Sequence, residues 1–155
     1  MFWKKDNKKT DKTGGTKPNR GKWKTTQSAV RKLDATFSLY IRMRDSRQYD
    51  GKYFRCISCG RVLPYEKGDC GHYISRRNMA LRFSEDNCHM QCSHCNRFQD
   101  GNILDYRAGL VRKIGEQRVL MLEAQRHDTK KWSVWELDIL NQHYKEEIAK
   151  LKSEL

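Results

Sequence analysis

The sequence predicts an α+β fold: a small, metal-stapled core of β-hairpin and short helix, flanked by α-helices and preceded by a disordered basic tail. Two C-x-x-C pairs, Cys56 with Cys59 and Cys92 with Cys95, indicate the core. Apolar residues three and four apart indicate the flanking helices. Lysine and glycine with few apolar residues indicate the tail. The predicted boundaries are 1–27 (tail), 28–48 (helix), 49–103 (core) and 104–155 (helical region).

Composition limits the class of protein. The chain has 155 residues, of which 37% are hydrophobic, and a mean hydropathy of −0.97, so its apolar core is small. No apolar run approaches the roughly 18 residues of a membrane span, and the N-terminus lacks the apolar middle of a secretory signal. We therefore expect a soluble, intracellular protein with no membrane partner. A net charge of +13 favours nucleic acid as the partner.

The charge is concentrated at the N-terminus. Residues 1–24 contain nine basic and two acidic residues, and therefore carry +7 of the +13. Such a segment is typically disordered and can contact phosphates. The alternative is a solubilising tail or linker.

Helices are predicted on both sides of the core. The segment from Ser28 to Arg47 has an apolar face opposite a basic one, on which Arg42 and Arg44 are candidates for DNA contact. A merely solvated basic face is the alternative. The C-terminal third predicts helices broken near Gly115, and a last helix with a capping box of Ser133 and Glu136.

Between these helices the pattern predicts short extended segments. A turn signal precedes YFRCISCGRVLP, which predicts a hairpin with the first C-x-x-C at its turn, an arrangement called a zinc knuckle. Residues 65–76 predict a second extended segment. Residues 87–99 predict a turn that leads into a short helix.

Four thiolates in two C-x-x-C pairs suit a tetrahedral Zn²⁺, and an intracellular chain disfavours disulfides. A closed site with four cysteine ligands would be structural and would compensate for the small core. Rival ligands are nearby, because Cys88, His89 and His94 flank the second pair and Cys70 lies between the pairs. The default expectation is that both extra cysteines are small buried residues, that His89 is hydrogen-bonded and that His94 is on the surface.

The segment between the pairs resembles the HNH (ββα-metal) nuclease motif. It contains Asp69-Cys70-Gly71-His72, then Asn87 fifteen residues later and Asn96 nine residues after that. In that motif a histidine, an asparagine and a third polar residue surround one divalent cation, and many members enclose it between two zinc knuckles. The resemblance implies a treble-clef or ββα-metal core.

The resemblance also implies residue roles. His72 would be the general base, since a neutral imidazole can take a proton from water at physiological pH. Asp69, Asn87 and Asn96 would be the catalytic candidates around a Mg²⁺ or Mn²⁺ ion, which prefers oxygen ligands. The chain departs from the common pattern where Gly71 replaces a ligating Asp or His, and where Asn96 replaces a frequent His. Asn87 could instead hold the loop by hydrogen bonds.

A narrower resemblance is to the NinG (Rap) family of lambdoid phages. It rests on GHYISRRNMALRFSEDNCHMQCSHCNRFQDGN, on LDYRAGLVRKIGEQRVLMLE and on KKWSVWEL, and covers the chain from FSLYIRMR to its end. The family is regarded as recombination endonucleases that act on branched DNA, including Holliday junctions and D-loops. The resemblance implies a structure-specific DNA endonuclease in the cytoplasm of the bacterial host, working with phage or host recombination proteins.

Arginines near the motif are candidates for binding double-stranded or branched DNA through its phosphates. They are Arg76, Arg77, Arg82 and Arg97. Two other functions stay open: a non-catalytic, zinc-stabilised DNA-binding module, and an adaptor that binds a recombination protein through its last helix. That helix is amphipathic from Tyr144 to Leu155, a pattern that would also suit a homodimer contact.

Overall fold

A computed structural model describes residues 25–154, so the predicted tail lies almost wholly outside the described residues. The α+β class is confirmed, with four α-helices and two small antiparallel sheets in the described part. The elements are α1 (Thr26–Ser46), β1 (Tyr53–Arg55), β2 (Val62–Pro64), β3 (Gly68–His72), β4 (Cys88–Cys92), α2 (Ile103–Ile114), α3 (Glu116–Ala124) and α4 (Val134–Ser153). Single-turn helices lie at Arg47–Tyr49 and Tyr65–Lys67, and a five-residue helix with π-type hydrogen bonding follows β4 at His94–Phe98.

The two long helices pack side by side. Each begins at a capping box, formed by Thr25 with Ser28 in α1 and by Ser133 with Glu136 in α4. They run in the same direction, because Thr36 contacts Asn141 near their middles (2.7 Å) and Arg47 pairs with Glu154 near their ends (2.9 Å). No helix in residues 25–154 is both long enough and apolar enough to cross a membrane.

The apolar face of α4 is used within the chain. Tyr144, Ile148 and Leu151 are buried in the same cluster as Leu33 and Phe37 of α1. Their burial holds the helix pair together. This face is therefore not free for the dimer or adaptor contact that its amphipathic pattern indicates.

Strands β3 and β4 form the hairpin that positions the candidate site. His72 lies opposite Cys88, and Gly68 lies opposite Cys92. The sequence predicts a turn that leads into a short helix over residues 87–99, whereas the structure has strand β4 (Cys88–Cys92) before the short helix at His94–Phe98. Polar and apolar residues alternate in β4, but all five are buried, so its polar residues, His89 and Gln91, do not form a solvent-facing side.

Helix α2 covers the other face of this hairpin. The Tyr106 hydroxyl donates to the Gly71 carbonyl of β3 (2.9 Å) and accepts from the His89 N–H of β4 (2.9 Å). Gly109 lies against the first knuckle, since a Cβ there would be 1.8 Å from the Ile57 carbonyl oxygen. Only glycine permits this close approach of helix and turn.

Candidate metal centre and adjoining cleft

The two C-x-x-C pairs come together in the fold. Cys56 and Cys59 lie in the turn between β1 and β2, Cys92 ends β4, and Cys95 lies in the short helix. Their four sulfurs all lie within 4.8 Å of one another, and Cys59 Sγ is 3.9 Å from Cys92 Sγ. A tetrahedral zinc with bonds of about 2.3 Å would place sulfurs about 3.8 Å apart. The donor set therefore fits a structural Zn²⁺, and Cys88, His89 and His94 are not in it.

Hydrogen bonds to the sulfurs favour thiolates, whereas burial raises the pKa of Cys56 to about 12 and also raises the pKa of Cys95. Arg61 Nε donates to Cys59 Sγ (3.4 Å), the Cys92 N–H donates to Cys56 Sγ (3.3 Å), and Asn102 Nδ2 contacts Cys95 Sγ (3.6 Å). Burial disfavours the Cys59 thiolate, but its bonds with Arg61 and the neighbouring cysteines outweigh this and lower the pKa of Cys59 to about 6. Such outer contacts orient metal ligands.

His72 ends β3 at the floor of a cleft. Its Nε2 lies 3.1 Å from the Arg82 carbonyl oxygen, which can only accept a hydrogen bond. Because the carbonyl can only accept, Nε2 carries the ring proton. The lone pair on Nδ1 is therefore available to accept a second proton. Burial lowers the pKa of the imidazole, Arg82 opposes the shift through its carbonyl, and the charge of Arg76 adds to the lowering. These effects favour the neutral form of the His72 imidazole.

Asn87 is fully buried and holds the loop that follows His72. Its Oδ1 accepts from the Ile74 N–H (2.7 Å), and its Nδ2 donates to the carbonyls of Ile74 (2.9 Å) and Leu81 (3.1 Å). Both the oxygen and the nitrogen of the Asn87 amide are therefore occupied by backbone groups. The structure does not place Asn87 among the cation ligands that the sequence predicts. They correspond to the loop-holding alternative.

Asp69 and Asn96 are neighbours, but Asp69 is held by another group. The Arg97 guanidinium donates two hydrogen bonds to the Asp69 carboxylate, from Nη2 (2.6 Å) and from Nε (2.9 Å). Asn96 Nδ2 donates to the same carboxylate (3.2 Å). Burial would raise the pKa of Asp69, but Arg97 and Asn96 outweigh it and keep the pKa below its usual value. The bond to Asp69 turns the Asn96 carbonyl oxygen away from that carboxylate. The three predicted oxygen donors are thus not assembled into one set.

Packing accounts for the glycine at position 71. A Cβ at Gly71 would lie 2.4 Å from Gln91 Oε1 and 2.9 Å from Gln91 Cβ. Gln91 is fully buried, and its amide nitrogen donates to Ser58 and to the Gly101 carbonyl. A ligating side chain at position 71 would require this glutamine to move.

Two adjoining clefts meet at His72. The larger, about 730 Å³, is lined by His72, Asn96 and Asp100, among others. The smaller, about 390 Å³, lies between β3 and α1, and the two share Cys70, His72 and Arg76. Sequence reasoning did not single out Asp100, Arg126 or His127 of the larger cleft, because only the tertiary fold brings them near His72. Cys70 and Cys88 were expected to be merely buried, yet they lie beside His72.

The candidate DNA-binding arginines differ in exposure. Arg76 and Arg77 are exposed; of the two, Arg76 lines both clefts and also contacts Asp34 of α1 (3.0 Å). Arg82 is held by Asp34 and is largely buried. The remaining arginine of the motif, Arg97, is exposed but bound to Asp69.

The two arginines predicted on α1 point inward. Arg44 donates to the carbonyls of Glu85 (3.2 Å) and Cys88 (2.9 Å), so it ties α1 to β4. Arg42 lies over the ring of Tyr65, 4.4 Å from its centroid, and its Nε is buried. In this arrangement neither guanidinium forms the exposed basic face that the sequence predicts.

Comparisons with known proteins identify relatives. The profile of the family described as Bacteriophage Lambda NinG protein matches residues 3–154. Protein ninG of Escherichia phage lambda is 33% identical over 125 residues, which cover 80% of this chain and 57% of that protein. Protein ninG of Escherichia phage 933W is 34% identical over 125 residues (80% and 58%), and that of Salmonella phage P22 is 33% identical over 124 (79% and 57%).

The chain spans little more than half the length of these relatives. No solved structure gives a significant match. The profile match extends over nearly the whole chain, and it includes both cysteine pairs and His72. The chain belongs to the NinG family of bacteriophage proteins.

Proposed function

We propose that the protein is a metal-dependent DNA endonuclease of the HNH (ββα-metal) type that cuts branched DNA such as Holliday junctions and D-loops. The observation that carries the proposal is His72. It ends the first strand of a hairpin that leads into a short helix, its Nε2 faces a backbone carbonyl, and its ring lines an open cleft. A histidine held in this way is oriented and neutral, as a general base must be.

In this proposal His72 takes the proton of the attacking water at Nδ1. The Arg82 carbonyl holds the ring and stabilises the imidazolium that forms, since Nε2–H continues to donate to it. Asn87 acts at a distance, because its three bonds fix the backbone between His72 and Arg82. It is a positioning residue here rather than a ligand.

The cleft offers oxygen donors for a divalent cation. Asn96 and Asp100 line it together with His72, while Asp69 is occupied by Arg97. Mg²⁺ commonly takes one or two protein oxygens and completes its shell with water and substrate phosphate, so two donors are enough. A Mg²⁺ or Mn²⁺ ion bound there would neutralise the charge that develops on the phosphate and the leaving oxygen. Asn96 stays in the proposed set, and Asp100 takes the place proposed for Asp69.

Charge around the cleft favours a DNA backbone. Arg76 lines the cleft and Arg77, its neighbour in the chain, is exposed, while residues 1–24 of the sequence contain nine basic side chains. Contacts of this kind bind phosphates without reading sequence, which suits a nuclease that recognises the shape of a branch.

Cleavage of an end-labelled four-way junction tests the proposal, with linear duplex of the same sequence alongside. We expect the wild type to cut the junction with Mg²⁺ or Mn²⁺ and not with EDTA. His72→Ala should still bind but cut roughly 10²- to 10⁴-fold more slowly. The matched control is His94→Ala, because His94 is exposed on the short helix outside the cleft and should cut like wild type.

Two outcomes would count against the proposal. Wild type that binds the junction without cutting it under any of these cations would make the protein a zinc-stabilised DNA-binding module. If junction and duplex are cut equally, the proposed specificity for branched DNA is contradicted, whereas the assignment as a nuclease stands.

A further inference from the structure

A second group of metal-ligating side chains lies at the floor of the cleft, apart from the four-cysteine site. Cys70 Sγ, Cys88 Sγ and a ring nitrogen of His72 all lie within 4.8 Å of one another. Within residues 25–154 these two sites are the only clusters of at least three such ligands.

The hairpin explains why these side chains meet. Cys70 and His72 are two residues apart on β3, so both point to the same face of the strand. Cys88 lies directly opposite His72 on β4 and therefore shares that face. A change of register by one residue would separate the three side chains. The cluster is thus fixed by backbone pairing rather than by flexible side chains.

The environment of His72 is that of a metal ligand as well as of a base. Ligating histidines usually donate their other ring N–H to a carbonyl or carboxylate, and Nε2 of His72 faces the Arg82 carbonyl. The Cys88 thiol also points toward this carbonyl (3.7 Å). Cys88 is fully buried, whereas Cys70 and His72 line both clefts. A metal held by the three ligands would therefore have its fourth position open to the cleft.

We propose that Cys70, His72 and Cys88 form a second site for a thiophilic divalent metal, with Zn²⁺ as the natural ion. Thiolate ligands select zinc over magnesium, and three protein ligands with one open position are typical of accessible zinc sites. Two thiolates, one imidazole and Zn²⁺ sum to zero charge, which suits a site whose deepest ligand is fully buried. Zinc at this site takes the lone pair that His72 needs as a base, so the ion blocks the proposed nuclease. This last consequence rests on the proposed function, whereas the site itself does not.

Metal binding tests the site without any DNA. Protein that carries one structural zinc is titrated with Co²⁺, which reports thiolate ligation by a sulfur-to-cobalt charge-transfer band. We expect one further equivalent to bind with that band. Cys70→Ser should lose most of the band and bind roughly 100-fold more weakly, while circular dichroism shows an unchanged fold. His72→Ala should weaken binding as well, whereas His94→Ala should behave like wild type.

Two results would overturn the site: no second equivalent with a charge-transfer band in wild type, or the same band in both Cys70→Ser and His72→Ala. A second experiment compares junction cleavage with and without added Zn²⁺, with each variant's zinc-free rate as its own reference. If added Zn²⁺ inhibits cleavage by wild type more than cleavage by Cys70→Ser, zinc at this site blocks the nuclease. Equal inhibition of the two proteins would contradict the blocking role. If the protein cuts no DNA, only the proposed nuclease function is contradicted. The cobalt titration still tests the metal site independently.

Discussion

Replacing Cys92 by serine is expected to abolish stoichiometric zinc binding at the four-cysteine site and to unfold the core of the protein. Structural zinc contributes roughly 10–16 kcal/mol in small domains, whereas a whole domain is stable by only about 5–15 kcal/mol. Cys92 ends β4 and packs in a cluster with Phe54, Met90 and the other buried cysteines of the four-cysteine site, Cys56 and Cys95. Loss of one ligand therefore removes both the metal and the packing around it.

Zinc content by mass spectrometry and thermal unfolding by circular dichroism measure this effect, with a strong chelator added to wild type in parallel. His94→Ala is the matched control, since His94 is exposed two residues from Cys92 and is not one of the ligands. A Cys92→Ser protein that melts at the wild-type temperature without zinc would show that the site is not structural.

Asp45→Ala is expected to destabilise the protein by about 3–5 kcal/mol, because it removes a buried carboxylate that pairs with the partly buried Arg44 and accepts from a buried backbone N–H. The Asp45 side chain is 6% exposed. It accepts from the Met90 N–H of β4 (2.7 Å), from Lys113 of α2 (2.8 Å) and from Arg44 (2.9 Å). This carboxylate therefore joins α1, β4 and α2, the three elements that surround the site.

The same carboxylate predicts a dependence on pH. Burial alone would raise the pKa of Asp45, but His89, Arg44 and Lys113 outweigh it and hold the pKa far below its usual value. The contribution to stability is thus fully present above the unfolded-state pKa of about 3.9, and is lost as the pH falls through the lower folded-state value. The difference between wild type and Asp45→Ala should be constant near neutrality and should narrow below about pH 4.

Urea unfolding at several pH values measures both effects. Asp86→Ala is the control, because Asp86 pairs with the exposed Arg118 at the surface and such pairs contribute about 0–1 kcal/mol. Equal destabilisation by the two substitutions, or a difference for Asp45→Ala that does not change in acid, would contradict the role given to Asp45.

Features encoded locally could be predicted from the sequence. Capping and apolar spacing place α1 and α4, and the C-x-x-C turn places the first hairpin. The fully buried β4 is not predicted, because its polar residues, His89 and Gln91, are buried against Arg44 and Ser58, which lie far along the chain. Local pattern carries no information about such partners.

Long-range pairing also decides which candidate residues face the cleft. Arg44 and Arg82 look like DNA contacts in the sequence, but Asp45 and Asp34 hold them within the fold. Cys88 looks like a small buried residue until the register sets it opposite His72. His72 itself follows from the resemblance, whereas its contact with the Arg82 carbonyl requires the tertiary structure.

The most direct test of the account is the single-turnover rate of junction cleavage by His72→Ala, with and without added imidazole, compared with wild type. If His72 is the general base, the substitution lowers the rate roughly 10²- to 10⁴-fold, and free imidazole restores part of it by entering the space that the side chain leaves. His72→Ala that cuts the junction at the wild-type rate without imidazole would contradict the account.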